Sequence, residues 1–298
     1  MNHNYYSDIK ELIIEDELYS RVKDYSKERH RVSTYYKIGK ILNEAGGKYG
    51  DKIIEEYSKK LVLEFGKKYN RRTLYRMKQF YAVFSNEIVS PLVTQSSWSH
   101  CLLLLSLKDY NAIYYYMEQT IKRNLSKRQL QEIMKNQEYE RLLSDTKIKL
   151  VKKEETNVID YVKNPIMIKN NIKYNLFSEK VLKDLIIENL SLFLKELGEG
   201  FSYIDNEYKI KLGNQNNYID LLLYNIKYRC YVVIELKVTG LKKEHIGQIE
   251  VYMNYINDNI KSKDDNDTVG IIICKEENQY IIRYRSNPNI VARTYLLI

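Results

Sequence analysis

The chain has 298 residues, with 48 Lys+Arg against 39 Asp+Glu for a formal charge of +9. That length is ample for two domains with their own cores, the start Met1-Asn2-His3-Asn4 does not read as a signal peptide, and no apolar run approaches the ~18 residues of a membrane span. Cys101, Cys230 and Cys274 stand singly in apolar runs without zinc spacing, and no Walker loop or Rossmann glycine pattern occurs. Buried reduced thiols, a cytoplasmic setting and no nucleotide-driven motor are therefore expected.

Residues 1–150 hold 27 basic and 19 acidic residues, a balance of +8, whereas 151–298 hold 21 and 20, or +1. The positive excess thus lies in the first half, which reads as all helix. Helical periodicity covers 7–28, 31–45, 50–65, 70–85, 97–107, 109–123 and 126–136, with Gly46-Gly47 ending the second helix and Ser126/Gln129 forming a capping box. From Gly66 to Phe80 there are Lys67, Lys68, Arg71, Arg72, Arg76 and Lys78 and no acid, and Asn70 can cap the helix that follows. Helix, short turn and basic helix resemble a helix-turn-helix, and clustered cations bind phosphate backbones through counterion release. A solvated basic face is the plainer alternative. Trp98, beside Leu102–Leu105, reads as a core residue, and neither Trp98 nor His100 is taken as catalytic. The expected division is a helical, basic, DNA-binding domain over 1–145, a Lys-, Asn- and Glu-rich linker over 146–175, and a second domain over 176–298.

In that second domain, Ser178 to Leu197 reads as one amphipathic helix, with Gly198 as its stop. Phe201–Ile204 and Tyr208–Leu212 read as short strands around a polar turn. A hairpin follows, Tyr218–Tyr224 and Tyr231–Lys237, then a helix over 241–258 with the stripe Ile246, Ile249, Met253 and Ile256. Gly247 is expected to bring that helix close to the sheet. Val269–Cys274 is a further strand, and Arg293–Ile298 an edge strand. This order suits a mixed sheet flanked by helices.

The hairpin carries the chemistry. Its strands are apolar enough for a sheet interior, yet Asp220, Glu235 and Lys237 interrupt them. Buried charges must be paired or hold a metal. A tight turn at Lys227-Tyr228 pairs Ile226 with Arg229 and, counting outward, Asp220 with Glu235; a different turn slips this by a residue or two. Glu235 and Lys237 share one face with Tyr231 and Val233, while Val232, Ile234, Leu236 and Val238 line the other. Mg²⁺ (or Mn²⁺) takes one or two carboxylates plus waters and phosphate. Asp220 and Glu235 would supply the carboxylates and the Leu236 carbonyl a third oxygen. Lys237, beside two acids, should stay protonated and orient water or stabilise charge. Gln248 can hold water or a phosphate oxygen. Against this stands the ordinary alternation of charged and apolar residues on an outer sheet face.

Asp-x(14)-Glu-Leu-Lys on a hairpin resembles the PD-(D/E)xK nuclease core. The flanks sharpen the resemblance: Phe193–Phe201, Tyr218–Tyr224, Val233–Lys237, Gly247-Gln248 and Gly270–Cys274 resemble the YhcG-type branch of that superfamily. Tyr49-Gly50, Phe65-Gly66, Ser97–His100 and Tyr139–Arg141 match its other domain. The resemblance covers nearly the whole chain. It implies a helical amino-terminal domain followed by a restriction-endonuclease-like domain with a mixed β-sheet flanked by helices, which cuts nucleic acid. It also implies that an acid from the first helix completes the metal site, for which Glu188 is the candidate; a solvated helix-face glutamate is the alternative. Two departures stand out. Asp205-Asn206-Glu207 replaces the family's Gly-Arg-Gln, and Lys243-Glu244-His245 replaces a Pro-Glu-Tyr run.

The reading is a Mg²⁺-dependent endodeoxyribonuclease positioned on DNA by its basic domain, with no membrane partner and homo-oligomerisation left open. The alternatives are a catalytically silent DNA-binding or assembly protein with a nuclease-like fold, and a nuclease directed at RNA.

Overall fold

The computed structural model describes residues 4–20, 27–49, 52–86, 92, 95–170, 178–283 and 285–298. They fall into two compact units, Met1–Glu140 and Arg141–Ile298. Among the described residues no helix is long and apolar enough to cross a membrane.

The amino-terminal unit is helical: α1 (Tyr5–Ser20), α2 (Lys27–Tyr49), α3 (Lys52–Phe65), α4 (Arg71–Phe84), α5 (Trp98–Leu104), α6 (Tyr110–Lys122) and α7 (Lys127–Lys135). Apolar residues three and four apart meet in one core, with Ile9 and Ile13 from α1, Ile38 and Leu42 from α2, Ile54 and Leu61 from α3, and Leu74 and Met77 from α4. A Cβ on Gly39 would stand 2.1 Å from the Met77 carbonyl oxygen, so glycine is what lets α2 lie against α4. The Ser126 capping box forms as its spacing implies. Trp98 packs edge-on against Tyr35 and Phe80. The His100 ring contacts the Ser97 hydroxyl at 3.0 Å.

One boundary differs from expectation, and the end of another falls outside view: the first helix is described over Tyr5–Ser20, residues 21–26 lie outside the described residues, and Lys27 and Glu28 belong to α2. Gly46-Gly47 does not end α2, which continues to Tyr49. Two interior glycines cost about 1 kcal/mol each, and buried Leu42 and Ala45 anchor the face on which the helix continues.

The carboxy-terminal unit is a six-stranded mixed sheet ordered β1-β6-β5-β4-β3-β2. Its strands are β1 (Ile166–Ile168), β2 (Phe201–Leu212), β3 (Gln215–Asn225), β4 (Cys230–Leu236), β5 (Asn266–Cys274) and β6 (Ile290–Leu297). β2, β3 and β4 are antiparallel neighbours; β4, β5, β6 and β1 pair in parallel. A short helix, α8 (Ser144–Lys152), precedes β1. One face of the sheet is covered by α9 (Glu179–Glu188) and α10 (Leu190–Leu197), which set Leu182, Leu185, Ile186 and Phe193 on Leu221, Val232, Ile234 and Ile271. The other is covered by α11 (Lys243–Asn259), which sets Ile249, Met253 and Ile256 on Leu222, Val233 and Ile272. Burial on both faces explains why the central strands read as unbroken apolar runs. Each buried Leu or Ile contributes about 1.5–3 kcal/mol.

Several expectations need correction here. The 146–175 stretch is not a bare connector over its described part. It holds most of α8, a 3-10 turn (Val158–Tyr161) and β1, with Val158, Val162, Ile166 and Ile168 in the core. A buried ion cluster anchors it, since Glu196 of α10 pairs with Arg141 and Lys163 and accepts the Met167 N–H at 2.9 Å. Its apolar residues were hidden by the Lys and Asn between them. Because β1 is the outer strand, β6 is not an edge. The 178–197 helix breaks at Asn189, whose side-chain amide donates to the Leu185 carbonyl at 3.2 Å. β2 is a single strand, because Asp205-Asn206-Glu207 is absorbed by a register shift after Tyr203 and a left-handed Glu207 (φ +52°) instead of a turn. Lastly, Gly247 faces open space; the close approach is at Gly270 of β5, where a Cβ would lie 2.6 Å from Met253 Sδ.

Candidate active site

The β3–β4 ladder runs from Asn225↔Cys230 to Leu221↔Ile234, the register a turn centred on Lys227-Tyr228 requires. One step further along, Asp220 stands opposite Glu235. Asp220 Oδ2 accepts the backbone N–H of Leu236 at 2.9 Å, which fixes the carboxylate across the hairpin. Glu235 is 3% exposed. Lys237 Nζ and Gln248 Nε2 both donate to its Oε1, each at 2.9 Å, and the Gln248 amide also reaches the Tyr252 hydroxyl at 3.1 Å. Gln248 comes from α11, on the flank of the stripe that packs on the sheet.

Burial pushes the Glu235 carboxyl up to about 7, with the Asp220 charge adding to the rise and Lys237 opposing it. For Lys237, burial favours the neutral amine, but the hydrogen bond to Glu235 and the charges of Glu235, Glu179 and Asp220 outweigh it and raise its pKa. Lys237 is therefore an ammonium. The second oxygen of Glu235, Oε2, is buried and has no hydrogen-bond partner. A buried acceptor left bare in this way is costly, and a cation is the partner that two adjacent carboxylates best fit. Among the described residues no group of three or more His, Cys, Asp or Glu is arranged around a metal position. Two carboxylates nevertheless suit Mg²⁺, which keeps several waters. Asp220 and Glu235 are the side chains able to hold such an ion, and Leu236, between Glu235 and Lys237, is held at the same corner by its N–H.

Two charged neighbours went unseen in the sequence. Glu179 Oε2, in the first turn of α9, lies 3.7 Å from Lys237 Nζ. One helical turn on, Lys183 Nζ lies 3.7 Å from Asp220 Oδ1 and 2.7 Å from Glu207 Oε1. The available signal was their i, i+4 spacing directly after Ser178, whose hydroxyl caps α9 by accepting from Val181 N. Glu188 is not brought to this corner. It sits at the far end of α9, nine residues from Glu179, or about 13 Å of helix. His245, at the start of α11, is held below the usual imidazole range by burial and by the charges of Lys237 and Lys242.

Six of the basic residues of the amino-terminal unit, Lys67, Lys68, Arg71, Arg72, Arg76 and Lys78, span the turn after α3 and the helix α4. Gly66 adopts φ +91°, Lys67–Tyr69 form a 3-10 turn, and Asn70 caps α4 by accepting the Thr73 N–H. Lys67, Lys68, Arg71 and Arg72 are exposed, and Arg76 and Lys78 half-buried. Lys68 pairs with Glu17 and Arg71 with Glu55, both at 2.8 Å. Lys67, Arg72 and Arg76 make no ion pair among the described residues.

A mixed sheet between helices, with an acid on one hairpin strand and Glu-x-Lys on the next, defines the PDDEXK class of nuclease domain. Residues 159–297 match the YhcG PDDEXK nuclease domain and residues 10–141 the DUF1016 N-terminal domain. The Escherichia coli (strain K12) protein named "Putative nuclease YhcG" is 25% identical over 287 residues, covering 82% of this chain and 76% of that one. The chain belongs to the YhcG-type PD-(D/E)xK nuclease family. Among solved structures, it is similar to a repair endonuclease from Pyrococcus abyssi (17% identity, 43% of this chain, 49% of that one, TM-score 0.29). An EndoMS–dsDNA2 complex is similar at 16% identity, with 43% and 48% covered and a TM-score of 0.29. The match thus takes in about half the length of each of these two chains.

Proposed function

We propose that the protein is a divalent-metal-dependent nuclease that hydrolyses phosphodiester bonds of DNA at the Asp220–Glu235 corner. The observation carrying this reading is the bare, buried Oε2 of Glu235, beside a carboxylate fixed on the opposite strand and an ammonium held on the same side chain. A divalent ion held by Asp220 and Glu235 would supply charge neutralisation at the phosphate and a more acidic water. Lys237, anchored by one N–H to Glu235, offers its other protons to a phosphate oxygen or to the attacking water. Gln248 holds Glu235 in place and keeps Oε2 turned away from its own amide. Lys67, Lys68, Arg71, Arg72, Arg76 and Lys78 are assigned to the phosphate backbone, where exposed cations release counterions. Lys68 and Arg71 would exchange their glutamate partners for phosphate.

The test is cleavage of linear, branched and single-stranded DNA and of RNA, with Mg²⁺, with Mn²⁺ and with EDTA, by wild type and by Asp220→Ala. Metal-dependent DNA cleavage that EDTA and Asp220→Ala both stop is expected. Equal cutting by wild type and variant would overturn the site. Salt-sensitive binding without cleavage of any substrate would overturn the activity in favour of a silent DNA-binding protein, and cleavage of RNA alone would overturn the choice of DNA.

A further inference from the structure

Asp220 has two carboxylate oxygens with different neighbours. Oδ2 is taken by the Leu236 N–H at 2.9 Å, while Oδ1 faces the ammonium of Lys183 at 3.7 Å. Lys183 is itself enclosed, with its side chain 12% exposed, and its close contact is elsewhere, to Glu207 Oε1 at 2.7 Å. The β2–β3 ladder pairs Asn206 with Leu221 and Tyr208 with Ile219, so Glu207 is the residue across from Asp220. Two like charges directly opposed on neighbouring strands repel, and here Lys183 from the covering helix α9 stands between them. Glu207 also adopts φ +52°, a left-handed conformation uncommon for a residue with a Cβ. Neither feature serves the sheet: the positive φ interrupts the strand geometry, and the paired acids would destabilise it without the lysine.

From this arrangement we propose that Lys183 is a positioning residue that sets how tightly the Asp220–Glu235 pair holds its divalent ion, and that Glu207 sets how far Lys183 intrudes. The inference rests on the reading of that pair as a metal site. The oxygen of Asp220 not bonded to the backbone is the one free to ligate, and it is the one Lys183 faces. A fixed positive charge there competes with an incoming cation. Glu207 relieves the competition by holding the ammonium 1.0 Å closer to itself than to Asp220, as the 2.7 and 3.7 Å separations give. Without Glu207, Lys183 has one partner left, Asp220, and settles on it. The corner therefore carries an internal counter-ion in which the lysine keeps the two facing acids from repelling one another while the metal position is empty.

The experiment is Mn²⁺ binding to the full-length protein, read directly by electron paramagnetic resonance or calorimetry without nucleic acid, with folding checked by circular dichroism. Lys183→Met keeps the aliphatic stem and removes the charge. It should tighten Mn²⁺ by about tenfold, the scale of one unit charge a few ångströms away in a partly screened site. Lys183→Arg should bind within about twofold of wild type, because the charge is kept. Glu207→Gln should weaken binding, and weaken it less in the Lys183→Met background than alone. Unchanged or weaker binding by Lys183→Met would overturn the proposal, and Lys183→Gln decides the same point should the methionine variant not fold. Asp220→Asn separates the two levels. If it binds Mn²⁺ as wild type does, the metal site itself is wrong, and the role of Lys183 is lost with it. If Asp220→Asn loses the ion but Lys183→Met changes nothing, the site stands and only this proposal fails.

Discussion

The hairpin corner of the carboxy-terminal unit and the α3–α4 surface of the amino-terminal unit both concentrate charge, and they hold it in opposite ways. At the corner, Glu235 and Lys237 are buried, hydrogen-bonded to each other and fixed by Gln248 from another element. On α4 and the turn before it, Lys67, Arg71 and Arg72 are exposed, and the one of these with a partner has it in Glu55 at the surface. Buried charge is costly to desolvate and must be locked in place. Exposed charge is screened and mobile, which suits a sequence-independent phosphate track. The difference separates a corner built for one geometry from a surface built for many.

Mutations on the two sides should fail differently. The largest effect belongs to the corner: Lys237→Ala should lower cleavage by about 10³-fold while leaving DNA affinity near wild type, as measured by single-turnover assays beside binding titrations. Next, the combined Lys67→Ala, Arg72→Ala and Arg76→Ala variant should weaken DNA binding and flatten the slope of log K against log salt by about 2–3, at ~0.9 per lost phosphate contact. Its single-turnover rate at saturating DNA should not move. A drop in that rate equal to the drop in affinity would erase the contrast between the two regions.

Stability offers smaller and sharper contrasts. Gly39→Ala forces a Cβ against the Met77 carbonyl, a backbone atom that cannot step aside, and should cost the amino-terminal unit about 1–3 kcal/mol in urea unfolding. In EDTA, Glu235 should make stability depend on pH. Its folded-state pKa, about 7, lies above the 4.5 of the free side chain, so the folded state keeps a proton that the unfolded state gives up. Its contribution is present in full below about 4.5 and is lost as pH rises to about 7. Glu235→Gln should flatten the urea midpoint across that window, and a profile unchanged by the substitution would contradict the buried, ion-free carboxyl. Ser126→Ala, which removes a capping box remote from both charged regions in sequence, should cost about 1 kcal/mol and alter neither binding nor cleavage.

How much of this was legible in the sequence depended on how local the cause was. The β3–β4 register followed from a short turn and strict alternation, both written within one hairpin. So did the pairing of Asn225 with Cys230 that sets it. Gln248 could be placed on the flank of a helical stripe, but not against Glu235 Oε1, because that contact needs α11 docked on the sheet. Glu179 and Lys183 were invisible for the same reason: a helix start reads alike whether it faces water or the end of a strand. β1 was missed because three apolar residues among Lys and Asn carry no period. The break at Asn189 and the left-handed Glu207 were missed because one side chain, not a pattern, decides each.

The pairing of β1 with β6 sets Ile166 beside Tyr295 and Ile168 beside Leu297, so the first strand of the sheet is hydrogen-bonded to the last. Loop closure over so long a span is entropically slow. On the ribosome, β1 is synthesised well before β6, so the outer strand of the sheet has no partner until β6 emerges. The elements that bring Asp220, Glu235, Lys237 and Gln248 together, β3, β4 and α11, all precede β6 in the chain, so a nascent chain holds every part of the charged corner before its outer strand can dock.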